Sequence, residues 1–138
     1  GHGTQVSGII VTDKNGRILL QQRDNLPHVT SPGLWGVWGG SLEGQETPLE
    51  CAVRELKEEI GLSIGVEDLV LLFSGEVSSK KFGRKIFNLY HATLPEGFRV
   101  SLGEGEGYGF FNKDTLERLP IGMSEDMKIE FFKAINSL

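Results

Sequence analysis

"GSLEGQETPLECAVRELKEEIGL", residues 40–62, carries the punctuation of one helix and an awkward concentration of charge. Thr47 can cap the first turn, Pro48 suits the first helical position, and Glu50 completes a capping box. Gly61 can end the helix in a left-handed conformation. The stretch therefore predicts a helix over residues 48–60. Inside it, Glu55 is a surface neighbour of both Glu58 and Glu59, and like charges at that spacing cost a few tenths of a kcal/mol per pair. Either the nearby cations Arg54 and Lys57 or a metal ion should offset that cost. On a helical wheel at about 100° per residue, with Arg54 at zero, Glu58 falls near 40°, Glu55 near 100° and Glu59 near 140°. Leu49, Ala52, Val53, Leu56 and Ile60 fall between about 160° and 260°. One face enters a core, and the other presents three carboxylates and a guanidinium. Cys51, near 60°, lies on the carboxylate side and reads as a small residue filling a gap.

Outward from this helix, the rest of the chain alternates in period. "TQVSGIIVT" (4–12) reads as a strand, "DKNG" as a turn with Asn-Gly in the two positive-φ positions of type I′, and "RILLQQR" as the partner strand. Residues 24–33 carry loop signals. "LWGVWGG" reads as a short strand entering a tight turn. "LVLLFSGEVS" and "KIFNLYHATL" read as an antiparallel pair joined by the basic "SKKFGR". "GEGEGYG" reads as an acidic flexible loop, "FFN" as a short strand, and "KDTLERL" as a turn or two of helix. "SEDMKIEFFKAINSL" reads as an amphipathic helix with Met127, Phe131 and Ile135 at spacing four.

The chain has 138 residues, which suits one domain with a real core; we read residues 3–138 as that domain and Gly1–His2 as a tag remnant. A net charge of −5 argues against a surface that grips nucleic-acid polymers, though not against a single nucleotide beside a divalent cation. Cys51 is the only cysteine, so no internal disulfide forms, which suits the cytoplasm. No apolar run is long enough to cross a bilayer as a helix.

Residues 40–62 resemble the signature of the Nudix hydrolases: Gly, five residues, Glu, seven residues, then Arg-Glu-aliphatic-x-Glu-Glu-x-Gly-aliphatic. Gly40, Glu46, Arg54, Glu55, Leu56, Glu58, Glu59, Gly61 and Leu62 fill every fixed position. "ILLQQR" and "EGYGFFNKDTLERLP" extend the similarity over most of the chain. The resemblance implies an α/β/α sandwich with a mixed β-sheet. It implies Mg²⁺-dependent hydrolysis, with Mn²⁺ as a substitute, of a nucleoside diphosphate linked to another group: a nucleoside triphosphate or a nucleotide sugar. It also implies a metal site at Glu58 and Glu59, with Glu55 as ligand or base and the Gly40 carbonyl as a further ligand. Arg54 would orient the glutamates, Glu46 would steady the loop and helix, and Glu104 is a second candidate base. The expected partner is a small-molecule substrate, without membrane or nucleic-acid polymer, and the chain is expected as monomer or homodimer. Two departures stand out. Trp38 replaces a usual proline before Gly39, and no accessory motif marks a substrate subclass.

Trp35 and Trp38 either stack on a substrate base or fill the core beside the glycine turn. Arg23, at a strand end, either reaches a phosphate or lies on the surface. His28 reads as a solvated loop residue and His91 as structural. The competing readings are a Nudix-fold nucleotide-binding or regulatory module without catalysis, which would be expected to lack box glutamates, and a prenyl-diphosphate isomerase, for which Cys51 is poorly placed.

Overall fold

Strand β1 (Thr4–Thr12) alternates its side chains between two buried faces, and the sheet grows around it. The computed structural model describes residues 4–23, 33–79, 83–102 and 107–138. After β1 come β2 (Ile18–Gln22), β3 (Trp35–Gly36), β4 (Trp38–Ser41), helix α1 (Pro48–Ile60), β5 (Val70–Ser79), β6 (Gly83–Thr93), β7 (Gly107–Phe111) and helix α2 (Glu125–Ser137). Short 3-10 helices lie at Val66–Asp68 and Lys113–Arg118.

The strands form one mixed seven-stranded sheet. β1 pairs in parallel with β6 along its full length, from Thr4↔Lys85 to Thr12↔Thr93. Its other edge is shared: β4 runs antiparallel beside Val6–Ile9, and β2 runs antiparallel at Val11 and Thr12. β2 carries β3 and β7 on its two sides, and β5 continues the sheet beyond β6. The split edge of β1 is what lets β4 deliver its glycines under the middle of α1.

Period two sorts the core. Ile9, Val11, Leu19, Trp38 and Tyr90 face α1, where they meet Ala52, Leu56 and Ile60. Ile10, Ile18, Leu20, Phe87 and Leu89 face α2, where they meet Phe131 and Ile135, with Met127 packed at the margin. Both faces are covered by helices, the α/β/α sandwich expected. No helix among the described residues is long and apolar enough to cross a membrane.

The hairpin after β1 departs from expectation. Asp13 N–H donates to the Arg17 carbonyl and Gly16 N–H to the Asp13 carbonyl, so three residues rather than Asn15-Gly16 alone form the loop. The Asp13 carboxylate accepts the N–H groups of Asn15 and Arg17 and the Arg17 side chain, and Gly16 takes up a left-handed φ of 78° as the last loop residue. β7 also starts earlier than expected, taking in Gly107, Tyr108 and Gly109.

Candidate active site

Helix α1 is fixed at both ends by the signals read from sequence. The Thr47 hydroxyl accepts the Glu50 N–H, the Glu50 carboxylate accepts the Thr47 N–H, and Gly61 closes the helix at φ 74°. Ser7, buried on β1, adds a tie that the sequence reading missed: its hydroxyl donates to the Pro48 carbonyl at 2.7 Å. A small hydroxyl residue between Val6 and the apolar stretch Ile9–Val11 was the available signal.

The glycines of β4 let the backbone come under α1. Gly39 has φ 138°, and a Cβ there would lie 1.9 Å from the Ser7 carbonyl oxygen. A Cβ on Gly40 would lie 2.6 Å from a Glu55 carboxylate oxygen. Gly39 excludes a side chain outright, because the clash is with the β1 backbone; at Gly40 the clash is with the movable end of Glu55 on the box helix. Cys51 fills the remaining gap: it is fully buried, with Sγ 3.5 Å from the Gly40 carbonyl oxygen and 3.6 Å from that of Ser41. Burial pushes its thiol above the usual range.

Arg54 sits at the centre of the carboxylate cluster. Its guanidinium donates to Glu46 at 2.5 and 3.0 Å, to Glu55 at 2.9 Å and to Glu58 at 3.3 Å. Glu43, not singled out from sequence, stands 3.7 Å away. The like-charge cost of the helix is therefore offset first by this one cation. Hydrogen bonds from Arg54 hold the Glu46 carboxyl down at about 2. Glu46 also accepts the Glu43 N–H at 2.9 Å, so one ion pair ties the loop after β4 to α1.

Glu59 lies outside this network. It accepts the Gly39 N–H at 2.8 Å, with Gln21 and Arg23 nearby. Burial, aided by the charge of Glu55, raises its carboxyl to about 8, against the opposing pull of Gly39, Gln21 and Arg23. Burial likewise raises Glu55, against the pull of Arg54. A partly buried carboxylate with no cation in contact among the described residues, a second one pressed on a glycine strand and an exposed third on the same helix fit a hard divalent cation in donor chemistry. As the side chains lie, no three Cys, His, Asp or Glu groups among the described residues are gathered tightly enough to hold an ion, so Glu58 and Glu55 would have to turn away from Arg54 to do so.

The other candidates fall as follows. Trp38 is corrected: it is buried in the core under α1, its indole N–H donating to the Leu19 carbonyl at 2.9 Å, so it has no face left for a substrate. An indole whose N–H finds a strand carbonyl can be buried without penalty, which is how it substitutes for a turn proline. Trp35 is half-buried on the α2 side, edge-on to Phe111 at 4.9 Å. Arg23 directly follows β2, with an exposed side chain close enough to act on Glu59. His91 lies 2.7 Å from the Thr12 hydroxyl, and burial lowers its pKa. Glu104 lies outside the described residues. Gln21 was missed; a polar residue continuing the inward-facing row of Leu19 marked it.

The NUDIX domain model matches residues 2–128. The chain is 34% identical over 117 residues to a protein from Chromobacterium violaceum named NAD-capped RNA hydrolase NudC, covering 84% of this chain and 41% of that one. It is 33% identical over 86 residues to the CTP pyrophosphohydrolase of Escherichia coli, covering 61% of this chain and 62% of that one. The chain thus spans less than two thirds of either curated relative. Its fold matches the crystal structure of a MutT NUDIX hydrolase from Burkholderia pseudomallei with TM-score 0.74 at 24% identity, over 100% of this chain and 99% of that one.

Proposed function

The chain belongs to the NUDIX family, whose members include pyrophosphohydrolases and generally use divalent metals such as Mg²⁺, and from that premise we propose that it hydrolyses the pyrophosphate bond of a nucleoside triphosphate or nucleotide sugar. One observation carries the reading: Glu59, a partly buried carboxylate that no cation among the described residues pairs directly, bonded to Gly39 on the glycine strand under the box helix. The relatives are named for CTP and NAD-capped RNA, two substrates that share a nucleoside joined to a pyrophosphate linkage.

Glu55, Glu58, Glu59 and the Gly40 carbonyl would hold Mg²⁺. When bound, that ion neutralises charge on the bridging and leaving oxygens and acidifies a water. The chain's own part is positional. Glycines 39 and 40 let the strand approach the helix without a side chain between them. Arg54 holds Glu55 and Glu58 on one side of α1 and braces the loop through Glu46. A carboxylate must take the proton of the attacking water; Glu55 and Glu104 are the two candidates, and the raised affinity of Glu55 for a proton suits that task. Arg23 would meet a phosphate; Trp35, packed on the α2 side of the sheet, would take no part.

The test is a phosphate-release screen with Mg²⁺ across nucleoside triphosphates, nucleotide sugars, ADP-ribose and dinucleoside polyphosphates. Turnover of at least one class that disappears in Glu59→Gln is expected. Tight nucleotide binding with no turnover anywhere would mean a binding module instead.

A further inference from the structure

Five large apolar or aromatic side chains among the described residues are strongly exposed, and Tyr108 is the one that stands beside Gln21, the neighbour of Glu59. Tyr108, on β7, is directly opposite Gln21 on β2, so the two side chains share a face. Two residues along, the opposed pair Leu19 and Phe110 packs into the core under α1, which fixes that face as the α1 side. Gln21 is the residue beside Glu59, and its amide also donates to the Val37 carbonyl at 2.9 Å. On the far side of Gln21, β3 contributes Gly36, and a Cβ there would meet nothing within 4 Å among the described residues. Across the sheet the row therefore reads Gly36, Gln21, Tyr108: an open position, an amide held in place, and a ring.

Strands lie about 4.8 Å apart, so Gly36 and Tyr108 flank Gln21 with about 10 Å between their backbones. The ring is held but not covered. It packs edge-on against Phe110 at 6.3 Å and 89°, and Phe110 in turn lies 5.0 Å below the Arg17 guanidinium. Tyr108 remains 44% exposed, which leaves ring surface free for a planar partner.

We propose that Tyr108 is a specificity-determining residue that stacks on the base of the nucleotide substrate, with Gln21 fixing the floor between that base and the glutamates. This rests on the pyrophosphohydrolase reading above. Aromatic stacking tolerates any base, because every base has a π-face, and is worth about tenfold to a hundredfold in affinity per ring. The ring thus selects for a nucleoside over a bare pyrophosphate and not for one base over another.

The experiment compares wild type, Tyr108→Ala, Tyr108→Leu, Tyr108→Phe and Tyr108→Trp as intact chains. Calorimetric titration in Mg²⁺ with α,β-methylene-ATP, α,β-methylene-CTP and methylenediphosphonate runs beside steady-state kinetics on ATP and CTP. Tyr108→Ala and Tyr108→Leu should weaken both nucleotide analogues at least tenfold and raise KM by the same factor, with kcat within threefold. Tyr108→Phe and Tyr108→Trp should restore both, and methylenediphosphonate should bind all five proteins alike. The leucine variant keeps bulk on the edge strand, so its loss of affinity is not a loss of fold. If Ala and Leu bind and turn over the nucleotides as wild type does, the proposal is overturned and the hydrolase reading stands. If wild type hydrolyses neither ATP nor CTP here nor any class in the phosphate-release screen, the hydrolase reading fails and the titration decides: dependence on an aromatic residue at 108 supports the stacking role, and equal or absent binding overturns it.

Discussion

Glu59 turns the geometry of one residue into a pH dependence. Its folded pKa of about 8 lies above the ordinary 4.5, so the metal-free fold binds a proton that the unfolded chain releases. The resulting stability is fully present below about 4.5 and is lost as pH rises through about 8. Glu59→Gln keeps an oxygen for the Gly39 N–H and removes the charge. We expect the metal-free variant to lose this slope and to exceed wild type above pH 8, by on the order of a few kcal/mol. Urea titrations from pH 5 to 9 with chelator check it; parallel curves for the two proteins would show that Glu59 is ionised throughout. Gly40 makes a second residue-scale case. A Cβ there meets the far end of the Glu55 side chain, which can swing aside, so Gly40→Ala should keep its unfolding midpoint within about 1 kcal/mol. The displaced Glu55 should cost at least tenfold in turnover. Near-native turnover would show that Glu55 does not act from this position. Sequence made the charges of this site legible, but not which carboxylate Arg54 leaves out, because that depends on how far each reaches across β4.

Helix α1 was legible almost residue by residue because its signals are local: a capping box, a first-turn proline and a terminal glycine all act within one turn of themselves. Its buried face followed from period alone, and Leu56 tests that orientation. Leu56 is fully buried between the sheet and the helix. Leu56→Ala should cost about 2–5 kcal/mol in unfolding free energy, measured by denaturant midpoint, while the surviving folded fraction keeps its pH profile. A negligible shift would mean that the helix faces the other way. Elements whose form depends on distant partners were less legible. The Asp13 turn is decided by a carboxylate that captures two backbone N–H groups, which the Asn-Gly pair obscured. Trp38 could be placed only once Leu19 was known to offer its carbonyl, across 19 residues of chain. The start of β7 was hidden by glycines 107 and 109, which read as loop until pairing with β2 gives their backbone a ladder.

At the scale of the whole molecule, the core and the carboxylate cluster are energetically separable. Both faces of the sheet are packed with apolar side chains, and the glutamates lie along one margin of that packing. Arg54 already compensates Glu46, Glu55 and Glu58 without any ion. The fold should therefore survive exhaustive chelation, with turnover lost. Adding Mg²⁺ or Mn²⁺ should then stabilise the molecule, since an ion that binds only the folded state adds about 2.7 kcal/mol at a hundredfold excess over its dissociation constant. For a chain of this size that is a rise in melting temperature of roughly 5–15 °C. The rise should shrink sharply in Glu59→Gln, because the partly buried carboxylate loses its charge. It should persist in Glu50→Gln, because Glu50 is committed to the helix cap and its change touches only α1's first turn. Melting curves with chelator, Mg²⁺ and Mn²⁺ on these three proteins separate the cases. Full turnover after chelation, or an equal metal response in wild type and Glu59→Gln, would remove the glutamates of α1 from the metal site.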